Sequence, residues 1–194
     1  MGTSATWEVT VRAVWAVAAA AVLAGGCTGG PVQAGSTPTA SAAETYPVPV
    51  QTVRPDERAL HVPTTSDGDT AFTLLGLTTG IDAIIGSHAE FEAKGRFARV
   101  RMSVVNNGRS SVSFAARRHV LVDDRKGEHA TDAQAMTIKR QPDVVDLGAN
   151  VRLEYDVYYD LPEDAKPLAL RVYGGPTLTD LKDVTGTDIP LIRP

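Results

Sequence analysis

The body of this chain is predicted to be an all-β sandwich of about seven short strands, and three observations carry that expectation. From about residue 69 onward, apolar and polar residues alternate with a period of two. Clusters of turn-forming residues interrupt the alternation at intervals of roughly 8 to 12 residues. Between them there are few stretches of sustained helical periodicity. At 194 residues the chain has room for one domain of ordinary size plus something extra.

The first strand is expected over residues 70–78 (TAFTLLGLT), with Gly76 as the place for a bulge because a residue without a side chain accommodates the extra backbone. Residues 97–105 (FARVRMSVV) come next. They put Ala98, Val100, Met102 and Val104 on one face and Arg99, Arg101 and Ser103 on the other. Asn106, Asn107 and Gly108 then mark a tight turn, since Asn and Gly tolerate positive φ. Short strands follow at 112–114 and 120–122, the second closed by the turn 123–127 (DDRKG). The clearest alternation is 151–161 (VRLEYDVYYDL), in which Val151, Leu153, Tyr155, Val157 and Tyr159 face one way and Arg152, Glu154, Asp156, Tyr158 and Asp160 the other. Leu168, Leu170 and Val172 repeat the pattern. Residues 189–192 form a last edge strand whose pairing Pro190 limits. Residues 81–85 fit either periodicity, and 178–184 suit a helical turn.

The two tryptophans, Trp7 and Trp15, lie near the N-terminus, and the lone Cys27 has no partner for an intrachain disulfide. A core of Val, Leu, Phe and Tyr must therefore hold the sandwich. At about 1.5 to 3 kcal/mol per buried large side chain, ten or so inward positions are enough.

The N-terminal part reads differently. Residues 13–24 (AVWAVAAAAVLA) are an uncharged apolar run behind Arg12, followed by Gly25, Gly26 and Cys27. The run is short of the ~20 residues that cross a bilayer and has the pattern of a secretory leader. Leu23-Ala24-Gly25-Gly26-Cys27 resembles the lipobox of bacterial lipoprotein precursors. That resemblance implies cleavage between Gly26 and Cys27, lipid on the Cys27 thiol, and a mature protein held on the outer face of the cytoplasmic membrane. Two acyl chains at ~0.8 kcal/mol per buried methylene make a stable anchor where one is marginal. Residues 28–53 carry a single charge, Glu44, and are rich in Thr, Ala, Pro, Gly and Ser. They read as a tether of roughly 30 Å rms span, with an ordered strand over residues 46–53, docked on the domain, as the alternative. The expected organisation is a signal peptide over 1–26, a lipidated cysteine and flexible linker over 27–55, and the sandwich over 56–194.

The net charge of -4 argues against nonspecific nucleic-acid binding, which draws on a basic excess. His88-Ala89-Glu90 imitates the first half of a zinc deaminase motif without the two further cysteines that motif needs. Asp123, Asp124, Glu128, His129 and Asp132 form an acidic cluster interrupted by Arg125 and Lys126. Its spacing matches no calcium loop and fits a solvated hairpin turn. No nucleophile elbow, zinc-protease helix, phosphate loop or dinucleotide fingerprint is present. No catalytic residue, metal ligand or cofactor is therefore expected, and His61, His88, His119 and His129 read as structural or exposed.

Val104-Val105-Asn106-Asn107, then Leu121-Val122-Asp123-Asp124 with Gly127, then Asp146-Leu147-Gly148 ahead of Tyr155-Asp156-Val157 and Leu161-Pro162 resemble a widespread immunoglobulin-like domain of unknown function. The resemblance covers about residues 69–174. Leu147 replaces the proline common before the glycine. The family occurs in lipoproteins and secreted proteins of Gram-positive bacteria and is similar in fold to a secreted mycobacterial immunoglobulin-like antigen. It implies an immunoglobulin-like sandwich and carries no catalytic residues.

If the two alternating strands pair, Arg99 and Arg101 come next to Glu154 and Asp156 on a solvated face, with Tyr158 as an exposed aromatic among them. Arg99, Arg101 and Tyr158 are then the candidate contact residues for a protein or envelope-component partner. The expectation is a non-enzymatic, lipid-anchored interaction module of the cell envelope. An assembly factor or chaperone receiving strands at open sheet edges is the rival, ahead of a hydrolytic enzyme.

Overall fold

The two longest alternating runs become the frame of the structure. The computed structural model describes residues 52–176 and 181–192. In chain order its strands are β1 (Arg58–Ala59), β2 (Thr65–Asp67), β3 (Thr70–Ile85), β4 (Glu90–Asn106), β5 (Val112–Ala115) and β6 (Val120–Asp123). β7 (Glu128–His129), β8 (Val144–Leu147), β9 (Arg152–Leu161), β10 (Pro167–Val172) and β11 (Thr187–Pro190) follow, with the short helix α1 (Ala133–Ile138) between β7 and β8. A five-stranded sheet runs in the order β1-β3-β4-β9, with β2 also on β3. Opposite it lie a four-stranded sheet, β11-β10-β6-β7, and the pair β5-β8. Every pairing is antiparallel. The all-β sandwich is as expected.

All seven strands expected from the alternation are present. β1, β2, β7 and β8 are additional, and at two to four residues they are too short to show a period. Residues 81–85 prolong β3. The register of β3 on β4 slips between Leu74 and Gly76, which is the expected bulge. Pro190 ends β11 at the sheet edge, where its missing N–H costs no ladder bond. Residues 178–180 lie outside the described residues, as does everything expected of residues 1–51.

The inward residues of β4 and β9 are buried as the alternation requires, with two exceptions: Val151 precedes β9 and stays exposed, and Leu153 is half-buried. Ala98, Val100, Met102 and Val104 meet Tyr155, Val157 and Tyr159, and from the opposite layer Phe114, Leu121, Leu147, Leu170, Val172 and Ile189 close the same core. α1 adds Ala135 and Met136 to it. Its first turn is capped by Asp132, whose Oδ1 accepts from the Ala135 N–H at 2.7 Å.

Two polar groups inside this core do structural work. Asn106 has no exposed surface; its Nδ2 donates to the carbonyls of Ser110 (2.7 Å), Leu147 (2.8 Å) and Gly148 (3.1 Å), and its Oδ1 accepts from the Gly108 N–H at 2.9 Å. The turn expected from Asn106-Asn107-Gly108 is thus a pin between the end of β4 and the end of β8. His119 is also fully buried, packed against Phe72 and Phe114, with Nδ1 accepting from the Tyr173 N–H at 3.2 Å. No described helix is long and apolar enough to cross a membrane.

Candidate contact face

In an antiparallel pair, directly opposite residues share a face. On the outward face of the large sheet the register sets Arg99 opposite Tyr158 and Arg101 opposite Asp156, with Ser103 opposite Glu154. β3 adds Thr78 opposite Arg99 and Gly76 opposite Arg101. The cross-strand neighbourhood of arginines and carboxylates is therefore as the sequence predicts.

Its environment is different. Residues 52–57 lie across this face as a strap. Arg54-Pro55-Asp56-Glu57 makes a β-turn in which the Glu57 N–H donates to the Arg54 carbonyl at 3.1 Å, and Pro55 occupies the position whose φ proline presets. β1 then pairs with β3, Arg58 opposite Leu77. This brings Glu57 over Gly76, where a side chain on Gly76 would occupy the place of the Glu57 carboxylate. The Glu57 side chain is only 1% exposed. Its carboxylate is gripped by Arg101, whose Nε donates to Oε2 at 3.1 Å and whose Nη2 donates to Oε1. The Arg54 backbone N–H also donates to Oε1, at 3.0 Å. Arg101 reaches the Thr52 carbonyl (2.9 Å) and Glu154 (2.9 Å) as well. Arg99 donates to Asp56 (3.2 Å) and Thr78 (2.8 Å), and Arg54 pairs with Asp156 at 2.7 Å.

The face expected to be solvated is therefore covered, and Tyr158 is not the exposed aromatic that alternation implies. Tyr158 is 4% exposed, as is Arg101. The physical reason is that alternation decides which way a side chain points, whereas a distant segment of chain decides whether that side meets water. Burial pushes the Tyr158 hydroxyl pKa up, and neighbouring Asp156 adds to that. Burial also opposes the Glu57 charge, yet the Arg54 N–H and the Arg101 guanidinium outweigh it and hold the carboxyl below its usual range. Arg101 moves upward for the reciprocal reason, its hydrogen bonds to Glu57 and Glu154 overcoming desolvation. The sequence signal for the strap was Pro55-Asp56 followed by Glu57, a turn ending in a charge, at the end of the stretch read as linker.

Other sequence-derived candidates have internal uses. In the acidic cluster, Asp123 is buried and closes the β6-β7 turn, with Oδ1 accepting from the N–H groups of Arg125 (2.9 Å) and Gly127 (2.6 Å) and Oδ2 meeting His129 Nε2 at 2.9 Å. The hydrogen bond from His129 is the main cause of a lowered Asp123 pKa. Asp124 accepts from the Lys166 N–H, and Glu128 pairs with Arg171 at 2.5 Å. The cluster is a hairpin turn, though one whose leading aspartate is buried and not solvated. His61 and His88 are exposed and His129 is half-buried. A concavity of 470 Å³ opens beside Lys94, Asp132, Asp160 and Glu163, but the Asp160 carboxylate already accepts from the N–H groups of Lys94 (2.8 Å) and Gly95 (3.2 Å), and Asp132 caps α1. Cys27 and Gly26 lie outside the described residues.

Among solved structures, the chain is similar to the yjhA protein from Bacillus subtilis, with 15% identity and a TM-score of 0.51 over 67% of this chain and 97% of that one. It is also similar to a conserved hypothetical protein from Bacillus anthracis (12% identity, TM-score 0.45, 69% of this chain and 95% of that one). A third similar structure is the secreted Mycobacterium tuberculosis protein MPT63 (13% identity, TM-score 0.38, 59% of this chain and 85% of that one). At such identities the likeness to yjhA speaks to fold alone. No curated protein matches the sequence. A family model matches residues 63–182, a span that runs from just before β2 past β10 and contains Asn106, Gly148 and Leu161-Pro162, and the chain belongs to that family, the Domain of unknown function (DUF4352).

Proposed function

We propose that the chain is a lipid-anchored, extracytoplasmic interaction module of a bacterial cell envelope, which acts by contact and not by turnover. The observation that carries this reading is the position of the only cysteine. Cys27 follows an apolar leader and two small residues, at the one place where a thiol would receive diacylglycerol. A tether rich in Pro, Ser, Thr and Gly then separates it from the sandwich, so the domain would stand off the membrane surface. The partner would be a protein or another envelope component.

The anchor is tested by mass spectrometry of the mature N-terminus with and without globomycin, which blocks the lipoprotein signal peptidase. The expected product begins at Cys27 and carries the mass of a diacylglyceryl group, and Cys27→Ala moves the protein from the membrane fraction to the medium. A free thiol at Cys27 or a retained leader would overturn the reading. The contact role is tested by crosslinking in envelope preparations followed by pull-down on the anchored protein. Recovery of a defined partner is expected, and turnover of a substrate abolished by one point substitution would defeat it.

A further inference from the structure

The strap is held mainly by charge. Its one buried side chain, Glu57, sits between two guanidinium groups on a floor without a side chain, Gly76. Its backbone contributes one turn hydrogen bond, the Arg54 N–H to the Glu57 carboxylate, and the Thr52 carbonyl that Arg101 holds, and the chain just after it adds the two-residue ladder of β1 and the Leu60 N–H to the Leu75 carbonyl. Val53 in the middle of it stays exposed. Closure is also incomplete beneath: Arg99 Nε and Asp156 Oδ1 are buried and have no hydrogen-bond partner. A segment with little apolar burial, few backbone bonds and unsatisfied polar atoms under it belongs to the low-stability end of a protein's local openings.

We propose that residues 52–57 form a latch that opens without unfolding the sandwich and, when open, leaves on the outer sheet face a site for the carboxylate of another chain segment. The chemistry of the site is that of the Glu57 seat. Arg99 and Arg101 offer a fork of N–H donors that matches a carboxylate, Gly76 leaves the room, and Asp156 flanks it to receive a cation at the place Arg54 now takes. The preferred occupant is therefore a segment that makes a β-turn with a basic residue at its first position and an acidic one at its fourth, the placing of Arg54 and Glu57. The latch is a property of the sandwich and does not rest on the lipid anchor.

Hydrogen exchange with mass spectrometry on the full chain in detergent tests the opening. Two variants act by different means: Glu57→Gln removes the charge, whereas Gly76→Ala leaves every charge and places a methyl group where the carboxylate lies. Both are expected to speed exchange over residues 53–60 at least tenfold while β4 and β9 stay protected, and 0.5 M salt should do the same to the unaltered chain. Exchange of residues 53–60 only in step with β4 and β9, or no change in either variant, would overturn the latch. A synthetic peptide of residues 52–60 then probes the vacated site in the Glu57→Gln chain. Saturable binding, at least tenfold weaker for the peptide with Gln at position 57, is expected. Equal binding of the two peptides, or none, would overturn the carboxylate site.

Discussion

Asn106→Ala is expected to cost roughly 3 to 5 kcal/mol of folding stability, more than a typical substitution of a polar residue. The carboxamide is fully buried and donates to three carbonyls, that of Leu147 buried with it and those of Ser110 and Gly148 at its partly exposed rim, and its own oxygen receives the Gly108 N–H. A buried polar group left without a partner costs about 1 to 3 kcal/mol, and alanine strands the Leu147 carbonyl outright and its three part-buried neighbours in part. Relaxation is blocked because the backbone around it is pinned as well. Asn106 N–H donates to the Val151 carbonyl at 3.1 Å, Asn150 N–H to the Asn106 carbonyl at 2.8 Å, and Asn107 N–H to the Asp69 carbonyl at 2.8 Å. Asn106→Asp should be worse still, since it turns a charge toward three carbonyl oxygens. Urea unfolding followed by circular dichroism should show the midpoint falling at unchanged slope. A loss below 1 kcal/mol for Asn106→Ala would mean that the pin is dispensable.

Acidification should destabilise the sandwich well before most carboxylates titrate, and His119 is the cause. Burial, reinforced by neighbouring Arg118, lowers its pKa from 6.5 to about 3. The folded state therefore keeps the ring neutral, while the unfolded chain binds a proton near pH 6.5. Below that pH the unfolded state holds more protons, so stability falls as pH drops and the loss is complete once the folded group also protonates. Between pH 7 and pH 3 the loss attributable to this residue is up to about 4 kcal/mol. Glu57 and Asp56, with lowered pKa values, add their losses only below about pH 4.5. The separate windows make the assignment checkable. In a His119→Leu variant, which gives up only the Tyr173 N–H acceptor, stability should be nearly flat from pH 7 to pH 5 while the unaltered chain declines. Parallel slopes in the two proteins would remove His119 from the account.

How much of this was legible beforehand depends on the range over which each interaction acts. Alternation in 97–105 and 151–161 specified the inward residues correctly from Ala98 to Val104 and from Tyr155 to Tyr159, because a strand's two-residue period is a local property of its backbone, and failed at Val151, which precedes the strand. It likewise placed Arg101 beside Glu154 and Asp156, since both strands carry long enough patterns to set their register. Gly76 showed itself as a bulge. Its second role, as the floor beneath Glu57, joins positions 19 residues apart in the chain through a two-residue strand, and no pattern of that length announces itself. Asn106 read as a turn former, which it is; that its side chain reaches Leu147 and Gly148 follows only from β4 and β8 ending together.

From its residues alone, this chain determined a β-sandwich, the inward face of β4 and of most of β9, the family resemblance that the match over residues 63–182 bears out, and the thiol position that motivates the anchor. Tertiary structure alone decided that the charged outer face of β4 and β9 is roofed by residues 52–57, that Tyr158 is buried, and that His119 is held neutral in the core. The reason is one of distance along the chain. Orientation is set by neighbours one or two residues away, whereas exposure and protonation are set by whatever remote segment comes to rest on top.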